Sequence, residues 1–430
     1  MANFFDPSIP SGPEPWGDDT PPPWAVEDTY GGNVVSLAGT PLEPQERPPA
    51  IWQSAGGWAE VDIPRRPWIV PGYIMRGSVT VVAGAGSAGK SSLVKGWMIA
   101  AVFGLSYNRF RVTAPLKVLS YNTEDDLDEE RRRISATCRQ FDRSPTEIPP
   151  TMRIIGPEQI GTLIQRDPVS GYCVPTNAQR DIEAILDADP PDILILDPLV
   201  ELHNAEENDN TGLRAVVAYF RTLAQRYKMG VVLLHHTRKG ATAPGDPDAV
   251  RGASAVVGAA RVVFTVCPMS EEEAGKTGVD VRQRRLYFRL DGAKQNYAPL
   301  DGAEWFKRVP YLLDNEEEVA AAEPWVPPSP WDGVTWPVID EIMAQIERGP
   351  SPGEFYAAAK QSKRWAGTII MDIAARSEAQ AGTILKSWIE GGVLVPSTYP
   401  SPSVNHRMAA CLHVDATKLS EMRREAADHG

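Results

Sequence analysis

Gly84-Ala85-Gly86-Ser87-Ala88-Gly89-Lys90-Ser91 sets glycines, a lysine and a hydroxyl at the spacing of a phosphate-binding loop. Glycine lets the backbone turn its N–H groups onto an anion, and a helix opening behind the loop adds a dipole that favours negative charge. In that chemistry Gly84, Gly86, Ser87, Ala88 and Gly89 cradle the phosphates of ATP, Lys90 reaches the β- and γ-phosphates, and Ser91, followed by Ser92, meets the Mg²⁺. Phosphoryl transfer to water needs two more parts, a carboxylate beside the metal and a base for the water. Ile193-Leu194-Ile195-Leu196-Asp197 is an apolar strand ending in an acid, which makes Asp197 the metal carboxylate. Asn122-Thr123-Glu124-Asp125-Asp126 follows another apolar strand, and Glu124 is the candidate base, with Asp125 and Asp126 capping or solvating the next helix. His235-His236 closes a third such strand. Adjacent residues of a strand point to opposite faces, so the two histidines do not share a metal, and one of them is placed to contact the γ-phosphate.

These groups meet only if their strands lie side by side. Short β-branched runs at 78–83, 117–121, 152–155, 192–196 and 230–235 alternate with helical patterns at 90–102, 127–140, 177–188 and 212–227. The alternation predicts an α/β fold with a mainly parallel sheet covered on both faces, which brings the strand ends to one edge. Runs at 261–267 and 285–290 predict later, antiparallel strands.

The remainder of the 430 residues divides around this core. Hydrophobic residues at 42% and charged residues at 23% exclude wholesale disorder, collagen and coiled coil. Residues 1–60 are rich in proline and glycine, acidic except for Arg47, and without an apolar period, which predicts a disordered arm carrying much of the net charge of −13. The core is expected at 61–315. A second acidic and proline-rich stretch, 316–331, predicts a linker. The longest apolar run, at 96–105, is about half of what a bilayer requires, so no membrane partner is expected. Four cysteines without paired spacing suggest neither disulfides nor zinc, and fit a reducing cytoplasm.

Thr123-Glu124-Asp125, Ile195-Leu196-Asp197, Leu233-Leu234-His235-His236-Thr237-Arg238-Lys239-Gly240, Arg251-Gly252-Ala253-Ser254 and Ala293-Lys294-Gln295-Asn296-Tyr297 occur in that order. Over 68–311 this set resembles the plasmid RepA-type replicative helicases, hexameric ATPases with a RecA-like core related to the DnaB helicases. The resemblance implies that Glu124 is the catalytic base and that His236 lies at the γ-phosphate. It also implies sites shared between subunits of a homo-oligomer, with Arg251, or else Lys294, entering the neighbour's site as a finger, and Arg261 as a weaker choice. The loop 240–252, flanked by Arg238, Lys239 and Arg251, is the candidate to face a central channel and touch single-stranded or forked DNA. The chain departs from that family in its arm, in its C-terminal tail and in Pro198 after Asp197, where the family usually has a hydroxyl residue.

Residues 332–430 read as helices at 336–348, 352–375 and 377–390, then strands at 393–395 and 406–414. This order resembles a winged helix, whose third helix can enter a major groove. Lys363, Arg364, Arg376, Lys386 and Arg407 are available, with Lys386 the candidate DNA contact, yet acids match them in number, so protein docking, for instance to replication-initiation partners, stays open. Three functions follow: an ATP-driven, ring-forming DNA helicase of a plasmid, phage or integrated element; a DNA-dependent ATPase of recombination or repair; and a nucleotide-switched DNA-binding regulator.

Overall fold

Residues that alternate along the strands divide between two faces, and both faces are buried. In β1 (Ser78–Gly84), Val79, Val81 and Ala83 join one core cluster and Val82 the other. The same split separates Leu194 and Leu196 from Ile193 and Ile195 in β4 (Ile193–Asp197), and Val231 and Leu233 from Val232 and Leu234 in β5 (Gly230–His236). A sheet apolar on both faces must be covered on both, and parallel strands joined by helices do this. The computed structural model describes residues 55–167, 173–204, 210–237, 244–246, 254–297 and 302–428. Most of the expected arm lies outside them, as do Arg238, Lys239 and Arg251.

With β2 (Val118–Asn122), β3 (Met152–Ile155), β6 (Val262–Pro268), β7 (Tyr287–Gln295), β8 (Glu304–Leu312) and β9 (Glu318–Trp325), the sheet order is β9-β8-β7-β6-β1-β5-β4-β2-β3. The six strands from β6 to β3 are parallel, and β7, β8 and β9 continue from β6 as antiparallel neighbours. Helix α1 (Lys90–Phe103) packs Leu93, Val94, Trp97 and Met98 on one face. Helices α3 (Asn177–Ala188) and α4 (Asn210–Arg226) cover the other with Ile182, Leu186, Val216 and Phe220. Helix α2 (Leu127–Gln140) lies beside α1, joined through Ile99, Ile134 and Cys138. Short helices α5 (Ser254–Ala259) and α6 (Glu271–Thr277) complete the core.

Strand β9 corrects the expected linker. Residues 318–325 pair with β8 along their whole length, from Leu312 opposite Glu318 to Trp305 opposite Trp325. Composition suggested otherwise because Glu318, Glu323 and Pro324 suit neither strand propensity nor burial. An edge strand accepts both, since its outer side needs no partner and charge or proline there discourages further pairing. What holds β9 is Ala321 and Ala322, both buried: Ala321 packs with Ala136 of α2, and the Ala322 carbonyl accepts from the buried Tyr107 hydroxyl. The core therefore closes after residue 325, not at 315.

Residues 66–430 form one compact unit, and the C-terminal segment is part of it. It comprises α7 (Trp336–Arg348), α8 (Gly367–Ala374), α9 (Glu378–Glu390), an antiparallel hairpin of β10 (Leu394–Ser401) and β11 (Arg407–Val414), and a closing helix α10 (Ala416–Asp428). Ile342, Ile346, Trp365, Ile384, Trp388 and Leu412 fill its own core. Only 367–374 of the expected helical stretch 352–375 is helical; β10 runs to Ser401, well past the expected end at 395, and α10 has no counterpart among the expected elements. Glu354 pins the hairpin, accepting from the hydroxyls of Tyr399 and Ser401 and from the Ser403 backbone N–H. Helix α9 is not free: the Ser377 hydroxyl at its N-cap donates to the Gly275 carbonyl of α6 at 2.6 Å, and Gln380 lies against Gly278. Among the described residues no helix is long and apolar enough to cross a membrane.

If β9 is a structural strand, Ala322→Asp should lower the thermal midpoint by at least about 5 °C, because a buried carboxylate without a partner costs several kcal/mol. An unchanged midpoint in a calorimetric scan would return the segment to a linker.

Candidate active site

The loop between β1 and α1 is shaped by two close approaches. Gly84 lies so near the Val266 carbonyl oxygen of β6 that a Cβ would sit 2.5 Å from it. Gly89 has φ +113°, left-handed, and Phe288 of β7 fills the space a side chain would need. Gly86 faces open space. This strand-turn-helix geometry leaves the backbone N–H groups at the start of α1 free to meet an anion, as the sequence spacing requires.

Parallel register brings the other candidates to the same edge. Gly84 is paired with His236, and Asp197 with Asn122, so β1, β5, β4 and β2 all end together. Such carboxyl ends are where open α/β sheets bind ligands. A cavity of about 930 Å³ lies there, lined by residues 87–92 of the loop, Glu124, Asp125 and His236, by Arg132 and Arg133 of α2, and by Arg308 and residues 317–320 from β8 and β9.

Lys90 is 4% exposed. Its ammonium donates to the carbonyls of Gly84 at 2.9 Å and Ala85 at 3.0 Å and lies 3.4 Å from His236 Nδ1. Burial lowers its pKa to about 8, against the opposing pull of Asp197 and Glu124. An ammonium can only donate, so Nδ1 is the acceptor in this contact, and Nε2 is the ring nitrogen nearest Glu124. That nitrogen is 3.2 Å from Glu124 Oε1 but off the line that a hydrogen bond needs, so it has no hydrogen-bond partner. Lys90, His236 and Glu124 thus form a chain across the cavity floor. His235 points elsewhere, and burial lowers its pKa to about 4, so it is neutral at physiological pH.

Asp197 is 3% exposed, precedes a cis peptide to Pro198, and keeps Oδ1 without a hydrogen-bond partner. Burial raises its pKa, while Lys95 and the Ser91 hydroxyl hold it toward the charged form. A buried carboxylate with a spare oxygen beside a helix-opening serine fits Mg²⁺, which takes one or two protein ligands and the rest from water and phosphate. The cradle, Lys90, Ser91 and Asp197 together fit a Mg²⁺-nucleotide.

Asp126 takes the expected capping role, whereas Asp125 lines the cavity. Asp126 caps α2, accepting from the Glu129 backbone N–H at 2.7 Å, and Asp125 pairs with Arg133 at 2.9 Å. Two finger candidates among the described residues, Lys294 and Arg261, are not at this chain's own cavity, and Arg251 lies outside the described residues. Lys294 and Arg261 lie at the far end of the sheet: Lys294 donates to the carbonyls of Val257, Gly258 and Ala260, and Arg261 sits over the Tyr297 ring. Lys386 is exposed on α9, 3.6 Å from Glu390, far in sequence from the phosphate loop.

One residue escaped the sequence reading. Arg308 of β8 donates Nη2 to the Ser87 carbonyl at 2.5 Å and Nη1 to the Arg285 carbonyl at 2.7 Å, and its guanidinium stacks over Phe288. Burial pulls its pKa down, and no carboxylate among the described residues compensates it. Held there, the guanidinium sets a half-buried positive charge against the phosphate loop. An isolated arginine within a strand pattern carries no local signal, so only the register of β7 and β8 reveals it.

Residues 42–242, a little under half of the chain, match the model of a family described as AAA domain. The match takes in the loop, Glu124, Asp197 and His236, and supports an AAA-type P-loop ATPase domain over that stretch. Strands β6 to β9, with Arg308, lie beyond it.

Because the folded protein lowers the Lys90 pKa from 10.5 to about 8, the charged form opposes folding below that pH. The opposition eases as pH rises above about 8 and is gone once the unfolded lysine also titrates near 10.5. Lys90→Met should therefore raise the midpoint of the nucleotide-free protein at pH 7, with the gain shrinking toward pH 10, while abolishing detectable binding of a fluorescent ATP analogue. A lower midpoint at pH 7 would contradict this electrostatic account.

Proposed function

We propose that this chain is the subunit of a ring-forming, ATP-driven DNA motor, a replicative-type helicase related to the RepA and DnaB proteins. The observation that carries the reading is the chain Lys90–His236–Glu124 at one sheet edge beside Asp197, in a domain matching the AAA model.

In this mechanism Lys90 and the loop N–H groups neutralise the β- and γ-phosphates, and Arg308 adds a second positive charge from the same subunit. Ser91 and Asp197 hold the Mg²⁺, which would withdraw charge from the phosphates when bound. Glu124 orients the attacking water and takes its proton. His236 touches both Lys90 and Glu124, so a change in phosphate charge reaches the end of β5 and the segment that follows it, where Arg238, Lys239 and Arg251 occur in sequence. Arg261 and Lys294 face away from their own cavity, so either could serve only a neighbouring subunit's site, as could Arg251. Lys294 would have to give up three carbonyls, which ranks it below Arg251.

The C-terminal segment has the element order of a winged helix, and we read it as a fixed appendage of the motor. Helix-turn-helix readers present the N-terminal residues of the recognition helix to bases. Here that end of α9 is bound to α6 through Ser377. Arg364 and Arg376 are also committed within the segment, to Tyr399 and the Phe355 carbonyl and to the Pro330 and Ala374 carbonyls. This favours protein docking over groove entry, with Lys386 left for at most a backbone phosphate.

Glu124→Gln should bind nucleotide with about wild-type affinity yet turn over at under about a hundredth of the rate, since an amide holds a water but takes no proton. The wild-type protein should separate a forked duplex with ATP and Mg²⁺ and fail with a non-hydrolysable analogue. DNA-stimulated hydrolysis without strand separation would instead indicate a recombination or repair ATPase, and duplex binding switched by ATP without turnover would indicate a regulator.

A further inference from the structure

Two charges, Lys95 and Glu130, lie buried where α1 meets α2, and beyond the pull of Lys95 on Asp197 the mechanism gives them no part. Lys95 and Glu130 have side chains only 2% and 1% exposed, and Lys95 Nζ meets Glu130 Oε1 at 2.9 Å. Burying such a pair rarely adds stability, because the desolvation of both ions offsets their attraction, and apolar residues of similar volume often do as well or better. Breaking it from one side leaves an uncompensated charge. Its presence therefore calls for a role other than holding α1 against α2, which Ile99, Ile134 and Cys138 already do.

The contacts show where the pair leads. Lys95 follows Ser91 by one turn of α1, so the helix that leaves the phosphate loop carries both Lys90 and this second cation. Glu130 Oε1 also accepts from Asn122 Nδ2. Asn122, the last residue of β2, is 2% exposed, and its Oδ1 accepts from the backbone N–H of Glu124 at 2.9 Å and of Asp125 at 3.1 Å. Both ends of the Asn122 amide are thereby used, one on Glu130 and one on the turn that carries Glu124. The Glu124 side chain is itself 46% exposed, with His236 Nε2 3.2 Å from its Oε1 and the charges of Lys90 and Asp197 close enough to act on it, and no hydrogen bond among the described residues fixes its carboxylate. Its direction is set by its backbone, and that backbone hangs from Asn122.

We propose that the buried Lys95–Glu130 pair is a positioning device for the base: Lys95 fixes Glu130, Glu130 fixes the Asn122 amide, and Asn122 clamps the turn that aims Glu124 at the cavity. The idea rests on Glu124 being the base. It gives the phosphate-binding helix, the metal-side strand and the base turn a common anchor, since Thr123 of the same turn also donates its N–H to the Asp197 carbonyl at 2.9 Å. Lys95, Glu130 and Asn122 are positioning residues, and none touches the nucleotide.

Two double variants of the full chain separate positioning from packing. Lys95→Met with Glu130→Leu removes both charges and the Glu130 acceptor, leaving Asn122 Nδ2 only the long contact to Asp125 Oδ2 at 3.4 Å; Lys95→Met with Glu130→Gln removes both charges but keeps an acceptor oxygen. The first should lose about tenfold or more in kcat, and the second should stay within about threefold of wild type. Both should bind a fluorescent ADP analogue within about threefold of wild type and melt within a few degrees of it. Wild-type kcat in the Leu variant would overturn the proposal, as would equal kcat losses in both variants or parallel losses of ADP affinity and midpoint. Should the Leu variant not fold, Asn122→Ala cuts the next link and must show the same kcat-only loss; turnover at the wild-type rate there also overturns it. Glu124→Gln in the same assay keeps the two ideas apart, because an active Glu124→Gln refutes the base assignment whatever the double variants do.

Discussion

A row of backbone N–H groups left unpaired at the start of a helix is the constraint around which this molecule is built. Those groups grip a multiply charged anion only if the chain turns sharply out of β1 and into α1, with left-handed backbone at Gly89 and no side chain at Gly84. The turn is supported by the last parallel strand and by the antiparallel ones beyond it: Val266 of β6 lies against Gly84, Phe288 of β7 against Gly89, and Arg308 of β8 holds the Ser87 carbonyl. The antiparallel strands are thus the outer wall of the phosphate site as well as an extension of the sheet.

Charge is the second organising theme. Lys90, Lys95, Glu130 and Asp197 are all nearly inaccessible, an unusual concentration of ions for a protein interior. Each has a distinct arrangement. Lys90 rests on loop carbonyls, Asp197 keeps a spare oxygen, and Lys95 and Glu130 neutralise each other. A site meant for a polyanion and a divalent cation can carry poorly compensated charges of its own, because the ligands complete the balance. Arg132 binds Glu317 at 2.6 Å and Arg133 binds Asp125 and Glu129, so α2 links the β8–β9 turn to the turn that carries Glu124 and Asp125.

The C-terminal segment shows how packing alters a reading of order alone. Helix, helix, helix and hairpin suggest a separate module, and a proline-rich stretch before them suggests a tether. In the folded chain the stretch is partly strand β9, and the N-cap of α9 belongs to the interface with α6.

The sequence by itself determined the parallel core, its strands and helices to within a residue or two, and the placing of Lys90, Ser91, Glu124, Asp197 and His236 at one edge. These follow from local signals: β-branched runs buried on both faces, a glycine loop with fixed spacing, and polar residues directly after apolar strands. What only the tertiary structure decided are features whose partners are distant in sequence. Residues 318–325 became a strand because β8 and α2 supply a place for Ala321 and Ala322, which outweighs their poor strand composition. Arg308 reached the loop through sheet register, and Lys95 met Glu130 because α1 and α2 pack side by side. A lone arginine in a strand, or a lysine in an apolar helix, looks the same whether it faces solvent or a site. The difference lies in the long-range contact that removes it from water, and no local pattern encodes that contact.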